Sequence, residues 1–208
     1  EKRESNRTAI AVVGVDGNYN KYVLDGLCHR LSLSERWDNL KRLRTKWKRA
    51  PGAREVKIGY ERYGAQSDIE HFKEMMRIEG SSFPIYELNW VGGGGSQSKK
   101  DRIQRLEPDL KDGSLFWPYP TDSKNYTSYQ EDMRVRKQDF LIAKKIMRID
   151  ENGDSYDLSD WVRRNEYNLF PTVHPDFLDA LSRIYDMEPV PPINRSYRTL
   201  EPPAEATY

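Results

Sequence analysis

Residues 8–25 read TAIAVVGVDGNYNKYVLD, and this stretch decides the fold class. Thr8 to Val15 is a short apolar run with almost no interruption, the pattern of a strand covered on both faces. Asp16, Gly17 and Asn18 are turn formers, because Gly and Asn tolerate the positive φ that a tight reversal needs. Lys21 to Asp25 then alternates back as a second strand, so the chain opens with an antiparallel hairpin. Leu27 to Leu31 is expected to add a third strand.

Beyond the hairpin, helical and extended segments alternate. Ser34 is placed to cap a helix in which Trp37, Leu40, Leu43 and Trp47 recur at near-helical spacing. Its other face is basic, with Arg36, Lys41, Arg42, Lys48 and Arg49, and Pro51-Gly52 ends it. Val56 to Glu61 alternates as a strand that closes on an acid. A helix is expected from Gln66 to Arg77, a strand from Phe83 to Trp90, and a helix from Ser98 to about Leu110. Ser114 to Trp117 reads as a brief strand. Phe140 to Ile149 and Ser155 to Val162 flank Asn152-Gly153, a strong hairpin signal. Pro175 to Met187 is a helix with Pro at its first position. The fold class is therefore α/β, with a mixed sheet (antiparallel start, then parallel strands) flanked by helices on both faces and a β-hairpin insertion. Residues 1–187 form the domain, with the hairpin insertion at about 140–162. Residues 188–208, which hold five of the twelve prolines, form a tail.

Composition narrows the function classes. The 34 basic and 33 acidic side chains of the 208 residues leave a net charge of +1, so nucleic-acid binding would come from local patches rather than from bulk charge. The 24 aromatics (13 Tyr, 6 Phe, 5 Trp) suffice to fill a core. No stretch approaches the ~20 apolar residues of a membrane span. Cys28 is the sole cysteine, which excludes an internal disulfide and a cysteine-based zinc site. Gly92 to Gly95 lacks the Gly-Lys-Ser/Thr of a phosphate loop. Asp150-x-Asn152-x-Asp154 starts like a calcium loop but has Ser155 and Trp161 where Gly and Glu are needed. His29, His71 and His174 show no zinc-protease spacing.

Carboxylates remain. Ligands of open α/β sheets bind beyond the C-terminal ends of the strands, where Glu61 would sit. Asp176 and Asp179, three residues apart, share one face of the last helix. If that face meets the end of strand 56–61, three carboxylates converge, and hard oxygen donors of this kind suit Mg²⁺ or Mn²⁺. Taken singly, each acid has a plainer role: a solvated strand end, a helix N-terminus favouring negative charge, or an Asp179–Arg183 pair.

Four strings, TAIAVVGVDGNYNKYVLDG (8–26), IGYERYGAQSD (58–68), SKKDRIQRLEPDLKDGSLFWP (98–118) and HPDFLDALSRI (174–184), together resemble the C-terminal nuclease domain of the large terminase subunit of tailed bacteriophages. The resemblance implies a ribonuclease-H-like fold and a two-metal Mg²⁺- or Mn²⁺-dependent endonuclease that cuts concatemeric double-stranded viral DNA. It places Glu61 as the second acidic ligand and Asp176 as the ligand opening the last helix. Pro175 stands where the family often has a further Asp, and Asp179 is the natural second acid. It sets Lys99 and Arg102 near the DNA backbone. Implied partners are an ATPase domain upstream in the same protein, the portal and the small terminase subunit, in the cytoplasm of the host cell during virus assembly. The basic helix and the hairpin would guide the duplex through phosphate contacts, with little sequence preference.

The family's first ligand is an Asp in an Asp-Pro-Ala-like string before the TAI run, and no such Asp precedes Thr8. Glu1 and Glu4 lie in no matching string, and Asp16 and Asp25 come after the first strand. A fragment starting just inside the domain boundary, one that folds but binds metal weakly and cuts DNA poorly, is the expectation. No nucleotide binding is expected. The alternative is a non-catalytic DNA-holding or portal-docking module on the same fold, whose acids are structural. A related resolvase or integrase would share the acids but lack the 98–118 stretch.

Overall fold

A computed structural model describes residues 7–61, 67–88, 96–118 and 145–190. Strands β1 (Thr8–Val15) and β2 (Lys21–His29) form the expected hairpin, and β2 is continued on its other edge by β5 (Leu115–Phe116), which runs parallel to it. The turn is fixed by Asp16, whose carboxylate accepts the N–H groups of Asn18 and Asn20 and the Tyr22 hydroxyl. The third strand expected at 27–31 is instead the end of β2, because pairing with β1 persists as far as Thr8 and His29.

One irregularity sets the rest. Val12 pairs with Asp25 but Val13 pairs with Val23, so Leu24 is an extra residue in β2. Such a bulge breaks strict alternation. Val23 and Gly26, odd and even in number, consequently share one face, with Ala9, Ala11 and Val13 opposite them on β1. Asp25 turns to the other face.

Helices cover both faces. Helix α1 (Leu33–Lys48) lies on the Asp25 side, where Arg36 donates to Thr8 Oγ1 (3.2 Å) and Lys46 reaches Asp25. Its N-cap is Ser32 rather than Ser34, because Glu35 closes a capping box on Ser32. Helices α5 (Leu158–Asn165) and α6 (Asp176–Ser182) lie on the opposite side, packing Leu158, Val162, Phe177 and Leu181 into one core with Val23 and Cys28. A side chain at Gly26 would come 2.3 Å from the Ile10 carbonyl oxygen and 2.8 Å from Phe177. The position is glycine because helix and strand meet there with no room for a methyl.

A second core forms where α1 meets α2 (Ser67–Ile78): Trp37 lies between Phe72 and Phe83, stacked on Phe83 at 5.8 Å. Strands β3 (Gly59–Glu61) and β4 (Tyr86–Leu88) run parallel beside it. Strand β3 starts at Gly59 rather than Val56 and β4 at Tyr86 rather than Phe83, and residues 89–90 of the expected strand lie outside the described residues. The expected 98–110 helix divides into α3 (Ser96–Gln104) and α4 (Glu107–Asp112), with Pro108 at the start of the second. The Asn152-Gly153 turn joins β6 (Met147–Ile149) and β7 (Ser155–Asp157) as expected. The strand expected to run to Val162 stops at Asp157, because that side chain caps α5 by accepting from Ser159 N–H. The last helix is α-helical only to Ser182 and tightens to a 3₁₀ turn over Arg183–Asp186.

The described residues are thus mixed α/β with a mixed sheet, although β3–β4 and β6–β7 stand as separate pairs. Among the described residues no helix is long and apolar enough to cross a membrane. The Gly92–Gly95 break, residues 122–139, the start of the hairpin insertion at 140–144 and the tail beyond 190 lie outside the described residues.

Candidate active site

The site is assembled from β3, α3 and α6. Strand β3 ends on Glu61. Helix α3 carries Lys99 and Arg102, and α6 carries Asp176 and Asp179, each pair three residues apart and hence on one helical face. The two helices pack with these faces together, so charges of opposite sign meet in register. Lys99 Nζ lies 2.7 Å from Asp176 Oδ1 and 3.9 Å from Asp179 Oδ2. Arg102 donates from Nε to Asp179 Oδ1 (2.8 Å) and from its terminal nitrogen to Oδ2 (2.7 Å), and the same nitrogen is 3.6 Å from Glu61 Oε1. All five residues singled out in the sequence therefore join one alternating chain: Glu61, Arg102, Asp179, Lys99, Asp176. Asp179 pairs with Arg102 rather than Arg183, whose guanidinium lies 2.9 Å from Asp186 without the geometry of a hydrogen bond. One turn further on, Arg105 repeats the pattern with Asp186 at 2.7 Å.

The links differ in character. The Arg102 and Asp179 side chains are only 5 % and 8 % exposed, a buried bidentate pair whose planar fork matches the carboxylate. Removing either partner would strand the other charge in the interior. Lys99 and Asp176 are 18 % and 27 % exposed, and Glu61 is 28 % exposed. The inner pair pins α3 to α6, while the outer acids face the surface. Arg102 is turned inward on carboxylates, so a contact from it to DNA phosphate would need Asp179 released.

Helix α6 begins without a cap of its own, because Pro175 offers no side-chain acceptor. Glu166 does this from a distance. Its Oε1 accepts the N–H groups of Asp176 and Phe177 (both 3.0 Å) and its Oε2 that of Leu178 (2.9 Å). Glu166 is 3 % exposed; burial pushes its carboxyl up, against the pull of the three amides. No sequence pattern marks Glu166 as a partner of Asp176, since the contact is tertiary.

Asp25 is a third buried acid, beside Asp179 and Glu166, and is 1 % exposed. Burial pushes its carboxyl up, but bonds from Lys46 and the Gly26 N–H and the charge of Arg148 outweigh this and hold it below the usual carboxylate range. Trp47 Nε1 also donates to it at 3.1 Å. Much of the basic face expected to meet DNA is thus engaged within the molecule: Arg36 on Asp68, Lys41 on Glu79, Lys46 and Arg148 on Asp25. Arg42, Lys48 and Arg49 are exposed. A cleft of about 550 Å³ separates the first half of α1 from the β6–β7 hairpin, with Arg42, Arg148 and Ile149 in its walls.

Glu61 and Asp176 offer carboxylate oxygens, the donor type a hard divalent cation takes, but their arrangement does not fit one. Among the described residues, no three His, Cys, Asp or Glu side chains gather closely enough to hold one; Lys99 and Arg102 stand among the three acids. Comparison with known protein families, with curated proteins and with solved structures found no match.

Proposed function

We propose that this chain is a ribonuclease-H-like nuclease domain of a viral DNA-packaging terminase, cutting concatemeric double-stranded DNA. The observation that supports it most is the linking of Glu61 and Asp176, from elements far apart in sequence, into one charged cluster through Arg102, Asp179 and Lys99. Glu61 and Asp176 are the acids this reading gives to Mg²⁺ or Mn²⁺, which when bound lowers the pKa of a water and neutralises charge on the leaving oxygen. Asp179, clamped by Arg102, sets the position of α6. Glu166 holds the first turn of α6, and with it the backbone of Asp176. Exposed Arg42, Lys48 and Arg49 would contact phosphates, which position a duplex without reading it. The ATPase domain, the portal and the small subunit are the partners this reading carries, in the host cytoplasm.

The test is supercoiled plasmid incubated with Mn²⁺ or Mg²⁺. Weak cation-dependent nicking is expected, and Glu61→Ala and Asp176→Ala should each bring it down to background. Cleavage that persists in both variants refutes these residue roles. A second reading, a DNA-holding or portal-docking module, is favoured by one observation: every acid of the cluster already has a basic partner. Duplex binding with no cleavage under any divalent cation would establish it.

A further inference from the structure

The cleft between the first half of α1 and the β6–β7 hairpin, about 550 Å³, shares no residue with the acid cluster. Its three acids are engaged within the molecule. Glu35 closes the capping box on Ser32, Asp150 accepts the N–H groups of Asn152 and Asp154, and Glu151 accepts that of Arg30 and pairs with its guanidinium. Arg42 is not so engaged. Among the described residues its guanidinium donates only to the Asn39 side-chain oxygen, at 3.0 Å, and pairs with no carboxylate. Arg148, held on Asp25 and the Gly26 carbonyl, shares the cleft wall. Desolvation and then the Arg148 charge pull the Arg42 guanidinium below its ordinary value, and Asp25 offsets this only in part. An anion beside Arg42 relieves that repulsion.

Two further features of the cleft point to a ligand. His29 lines it and is 6 % exposed. The Tyr156 hydroxyl accepts the Cys28 N–H and keeps its own proton for His29 Nδ1, at 2.8 Å, so the ring proton sits on Nε2. That N–H has no partner among the described residues. Met147 and Ile149, two residues apart and hence on one side of β6, also line the cleft, and both are exposed. Single exposed apolar side chains are ordinary; this pair shares its cleft with an unpaired guanidinium and an unpaired ring N–H.

We propose that the cleft seats one unpaired nucleotide of a single nucleic-acid strand. Its phosphate oxygens accept from Arg42 and from His29 Nε2–H, and its base lies on Met147 and Ile149. This rests on the DNA-binding part of the reading above and not on cleavage. The volume suits a group of that size. A base within a duplex has its faces covered by its neighbours, so an apolar wall selects a strand whose base faces are open. Arg49, seven residues beyond Arg42 and so roughly 10 Å further along α1, continues the track for a neighbouring phosphate.

The experiment is fluorescence anisotropy on the whole chain, without divalent cation and at about 50 mM salt, comparing a single strand of about ten nucleotides with its blunt duplex. The single strand should bind about tenfold more tightly, the scale of one stacked base. Met147→Ser combined with Ile149→Ser should erase that preference, and a strand with abasic units should lose it in the wild type. Arg42→Gln should weaken the single strand about tenfold. In the nuclear magnetic resonance spectrum the His29 ring signals should shift as the strand is added. Equal affinity for strand and duplex, or a preference that survives the serine changes, overturns the inference and leaves the DNA reading standing. Displacement of the strand by an equal concentration of thymidine monophosphate overturns it too, by giving the cleft to a free phosphate ester. No binding of either nucleic acid removes the DNA reading and the inference with it.

Discussion

Replacing Glu166 with Ala tests whether a single distant carboxylate holds the helix that carries both site aspartates. Three amides at 2.9–3.0 Å lose their acceptor at a position that is 3 % exposed. Bonds to a charged acceptor contribute roughly 1.5–3 kcal/mol each, and a buried orphan N–H carries its own penalty. Set against about 5 kcal/mol lost is the relief of no longer burying a carboxylate, about 2 kcal/mol. The net expectation is a destabilisation of about 3 kcal/mol. Urea denaturation should show the midpoint falling by about 1 M at unchanged slope, and the thermal midpoint should fall by roughly 6–12 °C for a chain of this size. Glu166→Gln should lie between, because its amide oxygen still serves Asp176 and Phe177 but its NH₂ faces the Leu178 N–H. Amide exchange should rise first at residues 176–178. A stability within about 0.5 kcal/mol of wild type, the range of an ordinary surface change, would refute the capping role.

Asp25→Asn should cost about 3 kcal/mol at pH 7 by leaving Lys46 and Arg148 without their carboxylate. Because the folded Asp25 carboxyl is held below its ordinary value, its contribution is complete above about pH 4 and fades as pH falls through the lower folded value; the gap between wild type and variant in denaturation at pH 7 should therefore narrow below pH 4. Arg102→Lys cannot reproduce the two-pronged bond to Asp179 and should lose roughly 2 kcal/mol, read by thermal melting. Gly26→Ala drives a methyl into the Ile10 carbonyl and Phe177 and should cost at least about 2 kcal/mol, with loss of the near-ultraviolet signal as the first sign. Burial pushes the Tyr156 phenol up to about 12 and raises Tyr22, Tyr60 and Tyr185 as well, so a spectrophotometric titration should show one fewer late-ionising tyrosine in Tyr156→Phe than in the wild type.

The periodic features were legible in the sequence. An apolar run followed by Asp-Gly and a second alternating segment encodes the β1–β2 hairpin locally, and the spacing of Trp37, Leu40 and Leu43 encodes the buried face of α1. The i, i+3 spacing of Asp176 with Asp179 places that pair on one face, whereas Lys99 and Arg102 are marked only by the family resemblance. That the two faces meet, with Glu61 beside them, is a tertiary fact that spacing alone leaves open. The misses have physical causes. The bulge at Leu24 has no signature in a chain read by strict alternation, so Asp25 was passed over as an acid beyond the first strand. Residues 155–162 mix apolar and polar side chains in a way that suits strand or helix, and the cap from Asp157 decides it. Glu166 caps amides ten to twelve residues further on, across a 3₁₀ turn and a loop, beyond any local pattern.

The outer border of β1 has a practical consequence. Among the described residues no strand pairs with it, and its eight residues include neither a charge nor a proline, the guards that usually keep such a border from templating foreign strands. The bulge, a device that bends such borders away, lies in β2 instead. With a net charge of only +1, long-range repulsion between molecules is weak. Association of concentrated solutions is therefore expected to run through backbone pairing along Thr8–Val15, and a lysine in place of Val12, on the face away from the core that α5 and α6 share with Val13, is the change that would guard this border.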